Sequence, residues 1–180
     1  MINIIASRYA EALFQVGEES NSTEKLYNEL KAVVDIINVN KEFSNILKSP
    51  IVSKEEKKTL ITNIFGSTLD NEMLNFMKIL ADKDRLNLLA NMEEAFKALL
   101  NDKNNILEGV AITAVPMNEG EVNELQAKLS AKYNKTVVLQ NEVDKSILGG
   151  VLVRLGNEEI DGTVKNRLDK MKEQLSQVIS

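Results

Sequence analysis

The sequence predicts an α+β protein, with an N-terminal six-helix bundle over residues 1–105 and a small C-terminal α/β domain over residues 106–180. Two of the eight glycines precede residue 106, which suits long helices, whereas six lie between residues 109 and 162. Apolar residues recur at helical spacing in the first part, and β-branched runs appear in the second. With 180 residues and 43% hydrophobic content, the chain can form one ordinary domain or two small ones.

Six segments of the first part show the helical period. The first covers residues 3–17, and the second opens on a capping-box pattern at Asn21. A short third helix covers residues 43–47, a second capping box at Ser53 opens the fourth helix, and Gly66 ends it. The fifth and sixth helices have apolar faces made, respectively, by Leu69, Met73, Phe76, Met77 and Leu80, and by Leu86, Leu89, Met92, Phe96 and Leu99.

The second part predicts strands at residues 110–115, 136–139 and 147–155, with a helix capped by Asn118 after the first of them. A last helix spaces its apolar residues alternately by four and three positions, at Val164, Leu168, Met171, Leu175 and Val178. Two heptads are too few for an independent coiled coil. We therefore expect this apolar face to pack on the small sheet.

The composition argues against an enzyme. The chain has no Cys and no His, which removes thiolate chemistry, the commonest general base and the usual ligands of zinc, haem and iron–sulfur clusters. A net charge of −5 disfavours nucleic-acid binding. No stretch reaches the roughly 18 continuous apolar residues of a membrane span, and no signal peptide is evident. We expect a soluble cytoplasmic protein with no catalytic residue, cofactor, metal or membrane insertion.

Three local patterns could suggest ligand sites, but each has a better structural explanation. Gly149-Gly150 lacks the Gly-Lys-Ser/Thr ending of a phosphate loop, which favours a bulge or a close approach of two backbone segments. Carboxylates such as Asp144 and Asp161 fit no EF-hand spacing and favour turns and helix caps. Glu55 and Glu56 are interleaved among the lysines at 54, 57 and 58, which is typical of a solvated helix face.

Two helix faces could bind a partner helix. The first helix places small side chains around Tyr9, Leu13 and Phe14, and the fifth presents a methionine-rich face that includes Met73 and Met77. Small residues allow close helix approach, and methionine suits adaptable binding surfaces. From the residues alone, ordinary bundle core remains the favoured interpretation of both faces.

Three stretches resemble the delta subunit of bacterial F-type ATP synthases, the counterpart of the mitochondrial oligomycin-sensitivity-conferring protein. They are ASRYAEALF at residues 6–14, DRLNLL at 84–89, and VDKSILGGV at 143–151 continued by IDGTV at 160–164 and by Arg167-Leu168. The third contains the turn residues Asp144, Gly149, Gly150, Asp161 and Gly162. The order of the stretches and the predicted layout agree with the family over the whole chain.

The resemblance implies a non-catalytic stator subunit at the cytoplasmic face of the cell membrane. In the family, the helical domain holds the N-terminal helix of an α subunit of the catalytic head between its first and fifth helices. The C-terminal domain holds the b subunits of the peripheral stalk, so rotor torque is coupled to ATP synthesis. The residues that correspond to the helix groove are Arg8, Tyr9, Ala12, Leu13, Met73, Met77 and Leu80.

Other function classes make different predictions. A small-ligand regulatory module would have a polar pocket near Gly149-Gly150. An RNA-binding bundle would have a basic face, and a carboxylate hydrolase would have strongly raised carboxylate pKa values in a cleft. The charge count disfavours the RNA-binding class, and no motif supports the hydrolase.

Overall fold

A computed structural model describes residues 3–49, 51–156 and 158–179, with only the backbone of residues 174–179. Over these residues the chain forms eight α-helices and one four-stranded sheet, which confirms the α+β class. The chain separates into two compact units, Met1–Leu100 and Asn101–Ser180. Each unit has its own hydrophobic core.

The first unit is helical. A 3-10 turn at Leu86–Leu88 precedes its last helix, which runs on into the second unit. The helices are α1 (Ile4–Glu19), α2 (Thr23–Val39), α3 (Lys41–Lys48), α4 (Lys54–Phe65), α5 (Asn71–Asp82) and α6 (Leu89–Lys103).

Helix boundaries follow local capping chemistry. The Ser53 hydroxyl accepts a hydrogen bond from the Glu56 amide, the Glu56 carboxylate accepts one from the Ser53 amide, and Gly66 caps the other end of α4, all as predicted. The capping box predicted at Asn21 is wrong. Asn21 has a φ of 52° in the turn, and Ser22 is the N-cap of α2 without a side-chain cap. Asn tolerates this left-handed conformation, which allows the tight turn between α1 and α2.

The core of the first unit combines aliphatic, methionine and aromatic side chains from several helices. Phe96 is fully buried, with the ring of Phe14 edge-on at 5.4 Å and the ring of Tyr27 stacked at 6.2 Å. Burying one such large side chain contributes about 1.5–3 kcal/mol. This core fixes which face of each helix remains available to solvent.

The solvated face that the sequence predicted for the lysines of α4 is wrong for Lys57. The side chain of Lys57 is only 4% exposed, and its Nζ lies 3.5 Å from Asp84 Oδ1. Lys54 also approaches Asp84 and donates to the Asp82 carbonyl, while Lys58 pairs with Asp82. The carboxylates come from the end of α5 and the turn after it, so sequence spacing along α4 could not reveal them.

The second unit is a four-stranded sheet with two helices. Its elements are β1 (Ile106–Thr113), α7 (Glu119–Tyr133), β2 (Thr136–Val143), β3 (Val151–Leu155), β4 (Glu158–Asp161) and α8 (Val164–Ile179). The strand order is β2-β1-β3-β4; β1 pairs in parallel with β2, and the other pairs are antiparallel. The first strand begins earlier than predicted, the third begins only after the double glycine, and the fourth was not predicted.

Helix α7 protects both a face and an edge of the sheet. Leu129 packs into the apolar cluster formed by inward-facing residues of β1, β2 and β3. The side chains of Gln126 and Ser130 accept hydrogen bonds from the β2 amides of Leu139 and Val137, at 2.8 and 2.9 Å. Because β2 is an edge strand, these bonds satisfy amides that could otherwise pair with another chain.

The expectation that α8 packs its apolar face on the sheet is wrong for the residues whose side chains are described. Leu168 is 57% exposed and Met171 58% exposed, and Val164 is also exposed. Leu175 and Val178 lie outside the described side chains. A backbone hydrogen bond connects α8 to the rest of the second unit at its first turn, where the Val164 amide donates to the Gly149 carbonyl.

Candidate functional site

Helix α1 divides into a core face and an exposed face. Ala6, Ala10, Leu13 and Gly17 are buried, at spacings of four, three and four. Leu13 therefore belongs to the bundle core, although the resemblance placed it in the groove. Of the other predicted α1 residues, Arg8 and Ala12 are exposed and Tyr9 is partly buried.

The methionine face of α5 is core. Met73, Met77 and Leu80 are each 0% exposed, so in this conformation they offer no surface to a partner. We therefore propose no direct partner contact for them. The exposed apolar residue of the same helix is Ile79, at 50%, which was not among the predicted groove residues.

Tyr9 joins α1 to α5 and to the turn that follows α5. Its ring meets the Phe76 ring edge-on, with centroids 6.4 Å apart. The Arg85 guanidinium donates a hydrogen bond of 2.9 Å from Nη1 to the Tyr9 hydroxyl, and its Cζ lies 5.3 Å from the ring centroid. The contact connects the first two family-like stretches. Arg85 lies in the second stretch, and its contact with Tyr9 is not predictable from sequence spacing.

The Tyr9–Phe76 contact brings two exposed helix edges together. On α1, Ile5, Ala12 and Val16 share a face with Tyr9, because residues three, four and seven apart are neighbours on a helix. On α5, Ile79 follows Phe76 by three positions. At the other end of α1, the Ser20 hydroxyl approaches Glu72 of α5 at 3.5 Å, so the helices run antiparallel.

We call the exposed residues along this junction the α1–α5 surface. Its apolar members are partly or largely accessible to solvent, and Arg8 places one cation among them. An amphipathic helix could lay its apolar face here without displacing the bundle core. The surface comprises Ile5, Arg8, Ala12, Val16 and Ile79.

In the second unit, backbone hydrogen bonds at the predicted turn residues connect the segment around the start of β3 to the start of α8. The Val164 amide donates to the Gly149 carbonyl at 3.0 Å, and the Gly162 amide donates to the Val151 carbonyl at 3.0 Å. Gly150 has a φ of 84°, and a Cβ placed there would lie 2.5 Å from the Gly162 carbonyl oxygen. The predicted close backbone approach at the double glycine is confirmed.

The two turn aspartates act as backbone caps. Asp144 Oδ1 accepts from the Ser146 amide and Asp161 Oδ1 accepts from the Thr163 amide, both at 2.8 Å. Hydrogen bonds from Ser146 hold the pKa of Asp144 below its ordinary value, and hydrogen bonds from the Thr163 hydroxyl and amide do the same for the pKa of Asp161. Such shifts mark carboxylates stabilised in their charged form.

Neither a metal centre nor a membrane span emerges from the described part of the chain. In residues 3–49, 51–156 and 158–179 no group of three or more His, Cys, Asp or Glu could hold a metal ion. Within the same residues, no helix is both long and apolar enough to cross a bilayer.

Residues 5–175 match the family model described as the ATP synthase delta (OSCP) subunit. The chain belongs to this delta (OSCP) family. It is 61% identical to the ATP synthase subunit delta of Clostridioides difficile (strain 630), over 100% of both chains. It is 41% identical to the ATP synthase subunit delta of Alkaliphilus metalliredigens (strain QYMF), over 99% of both.

Solved structures agree with the delta family assignment. A chain in the cryo-EM structure of the Toxoplasma gondii mitochondrial ATP synthase hexamer matches with a TM-score of 0.72 and 25% identity, over 96% of this chain and 98% of that one. A chain of the Polytomella F-ATP synthase matches at 19% identity with a TM-score of 0.51, over 56% of this chain and 89% of that one, which supports the fold alone.

Proposed function

We propose that the chain is the non-catalytic stator subunit that links the α subunits of the catalytic head to the b subunits of the peripheral stalk. In this role it is a peripheral subunit on the cytoplasmic face of the cell membrane. The observation that carries the proposal is the α1–α5 surface: exposed apolar side chains along two antiparallel helices whose opposite faces form a complete core. That arrangement suits capture of an amphipathic helix on a rigid support.

The head-binding end follows from the chemistry of the α1–α5 surface. Ile5, Ala12, Val16 and Ile79 supply apolar contact, and the small Ala12 side chain permits close helix approach. Tyr9 and Arg85 hold the two edges at fixed spacing. The proposed occupant is the N-terminal helix of an α subunit, as the family resemblance implies.

The stalk-binding end is the exposed stripe of α8. Val164, Leu168 and Met171 lie along one helix face, and each is more than two-fifths exposed. The turn at Gly150 and Asp161 anchors the first turn of this helix to the sheet. A helical b-subunit segment would bury the stripe, and its binding would stabilise the second unit by mass action.

Calorimetric titration of the full-length protein with a peptide of the same organism's α-subunit N-terminus tests the head-binding end. We expect micromolar or tighter binding, weakened at least tenfold by Ala12→Asp and by Ile79→Asp, because a buried unpaired carboxylate is costly. Ala98→Asp, an exposed alanine of α6, is the matched control. Equal binding by all three variants would contradict the proposed surface.

The stalk-binding end has its own test. We expect Leu168→Asp and Met171→Asp to abolish co-purification with the soluble part of the b subunits, while peptide binding at the α1–α5 surface persists. Lys165→Asp, an exposed change in the same helix, is the control for added negative charge. Loss of both activities in a folded Leu168→Asp protein would argue against two separate binding ends.

The small-ligand alternative finds no support at the place where it predicted a pocket. Around Gly150 the backbone of Gly162 and Thr163 lies too close for even a methyl group, at 2.5 and 2.9 Å from the Cβ position. The double glycine is therefore explained by backbone packing.

A further inference from the structure

A cleft of about 420 Å³ opens in the first unit between α3, α4 and the turn after α5. Its volume falls in the range of small-molecule sites. None of the five residues of the α1–α5 surface lines it. Its lining consists of Leu47, Lys48, Lys57, Asp84, Leu86 and Asn87.

The charge on the cleft wall is positive, although the protein as a whole is acidic. Lys48 and Lys57 contribute two ammonium groups, and Asp84 contributes one carboxylate. That carboxylate is shared, because Asp84 Oδ1 lies 3.5 Å from Lys57 Nζ and Oδ2 lies 3.4 Å from Lys54 Nζ. The side chain of Asp84 is also 56% exposed, so water weakens both pairs.

Lys57 is therefore a buried cation whose carboxylate partner is partly exposed and shared with Lys54. Its side chain is 4% exposed, and its ion pair with Asp84, at 3.5 Å, is longer than a hydrogen bond of ideal length. An ammonium group has three donors, and a buried charge is costly unless it is paired. Lys58, one position later in α4, differs: it pairs with Asp82 at 2.5 Å and Glu55 at 3.2 Å.

We propose that this cleft binds a small oxyanion, a carboxylate or phosphate group. The Lys57 and Lys48 ammonium groups and the Asn87 amide supply hydrogen-bond donors of the kind that such anions accept. Leu47 and Leu86 line the same cleft with apolar surface, which reduces competition from water. The oxyanion adds the charge compensation that Asp84 supplies only in part.

The test is a titration of the full-length ¹⁵N-labelled protein with sodium phosphate and, separately, sodium acetate. Sodium chloride at matched ionic strength is the reference. We expect saturable chemical-shift changes at Leu47 and Asn87 with at least one oxyanion, beyond those in chloride. Lys57→Met should weaken the apparent affinity about tenfold or more, the size expected for hydrogen bonds to charged groups. Lys58→Met, which removes the same charge outside the cleft, should change it little.

Asp84→Asn gives a test that does not depend on removing a buried residue. Asp84 has a φ of 51°, which Asn adopts readily, so the turn should persist. Without the competing carboxylate, the oxyanion should bind several-fold more tightly, and Lys48→Met should weaken it. If neither oxyanion saturates beyond chloride, or if Asp84→Asn binds no more tightly than the wild type, the proposal is overturned. Neither result would bear on the proposed binding at the α1–α5 surface.

Discussion

Two residues of α5, two positions apart, should respond to truncation in opposite ways. Met77 is fully buried in the first unit's core, whereas Ile79 is half exposed on the α1–α5 surface. Met77→Ala should lower stability, with peptide affinity reduced only through loss of folded protein. Ile79→Ala should leave stability nearly intact and weaken binding of the α-subunit peptide.

The magnitudes follow from burial. Truncating a fully buried methionine to alanine removes transfer free energy and leaves a cavity, at a cost of about 2–5 kcal/mol. Full burial of an isoleucine side chain stabilises a protein by about 1.5–3 kcal/mol. Ile79 is 50% exposed, so its burial contributes roughly half of that, and the alanine variant keeps the part that comes from the Cβ. The expected loss for Ile79→Ala is therefore about 1 kcal/mol or less.

The assay is urea unfolding followed by circular dichroism, paired with calorimetric titration of the peptide. Because the chain contains two compact units, each transition is fitted separately, and the slope m is compared between variants. A Met77→Ala protein as stable as the wild type would refute the core assignment. An Ile79→Ala protein that binds the peptide with wild-type affinity would refute the surface assignment.

Three further predictions concern the Tyr9–Arg85 contact and the turns. Tyr9→Phe keeps the ring but removes the hydroxyl that accepts from Arg85, and should lower the free energy of unfolding by about 1 kcal/mol. A double-mutant cycle with Arg85→Gln that shows no coupling would contradict this contact. Gly150→Ala should lower the free energy of unfolding by about 2 kcal/mol or more, because a positive φ and a backbone clash combine at this position. Gly156 also has a positive φ but has open space around it, so Gly156→Ala should lower the free energy of unfolding by only about 1 kcal/mol. Urea unfolding measures both values. The pKa of Asp161 is lowered below its ordinary 3.8, so its stabilising contribution is complete above that pH and is lost as the pH falls through the folded-state pKa. Asp161→Asn should thus reduce the acid dependence of unfolding below about pH 4, and an unchanged pH profile from pH 2 to 6 would exclude this role.

Local chemistry made several features predictable from sequence. The Ser53 capping box depends on residues three apart, and the tight approach at Gly150 follows from a pair of glycines in an otherwise apolar strand pattern. By contrast, β4 consists mainly of charged residues, which carry no strand periodicity, and forms because β3 offers it an edge. Pairing with a partner strand is a tertiary effect that overrides local propensity.

The candidate site was harder to predict because a periodic pattern marks an apolar face without saying what covers it. Met77 and Ile79 are both apolar residues of α5, and only the packed bundle shows that one is buried and the other half exposed. Lys57 gives the opposite case, since its neighbours in sequence are charged and yet α3 and the turn at Asp84 enclose it. Burial is decided by elements distant in sequence.

The modest size of the two proposed binding surfaces has a consequence for assembly. The α1–α5 surface offers a few apolar side chains and one cation, and the described part of the α8 stripe offers three apolar side chains. Surfaces of this kind suit micromolar contacts, because ordering a partner helix offsets much of the gain from burial. The proposed stator role nevertheless requires resistance to torque throughout each turnover. Binding at both ends of one chain resolves the conflict, since attachment at one end raises the effective concentration of the other partner to about the millimolar range. A weak isolated peptide complex is therefore compatible with a durable link in the assembled enzyme.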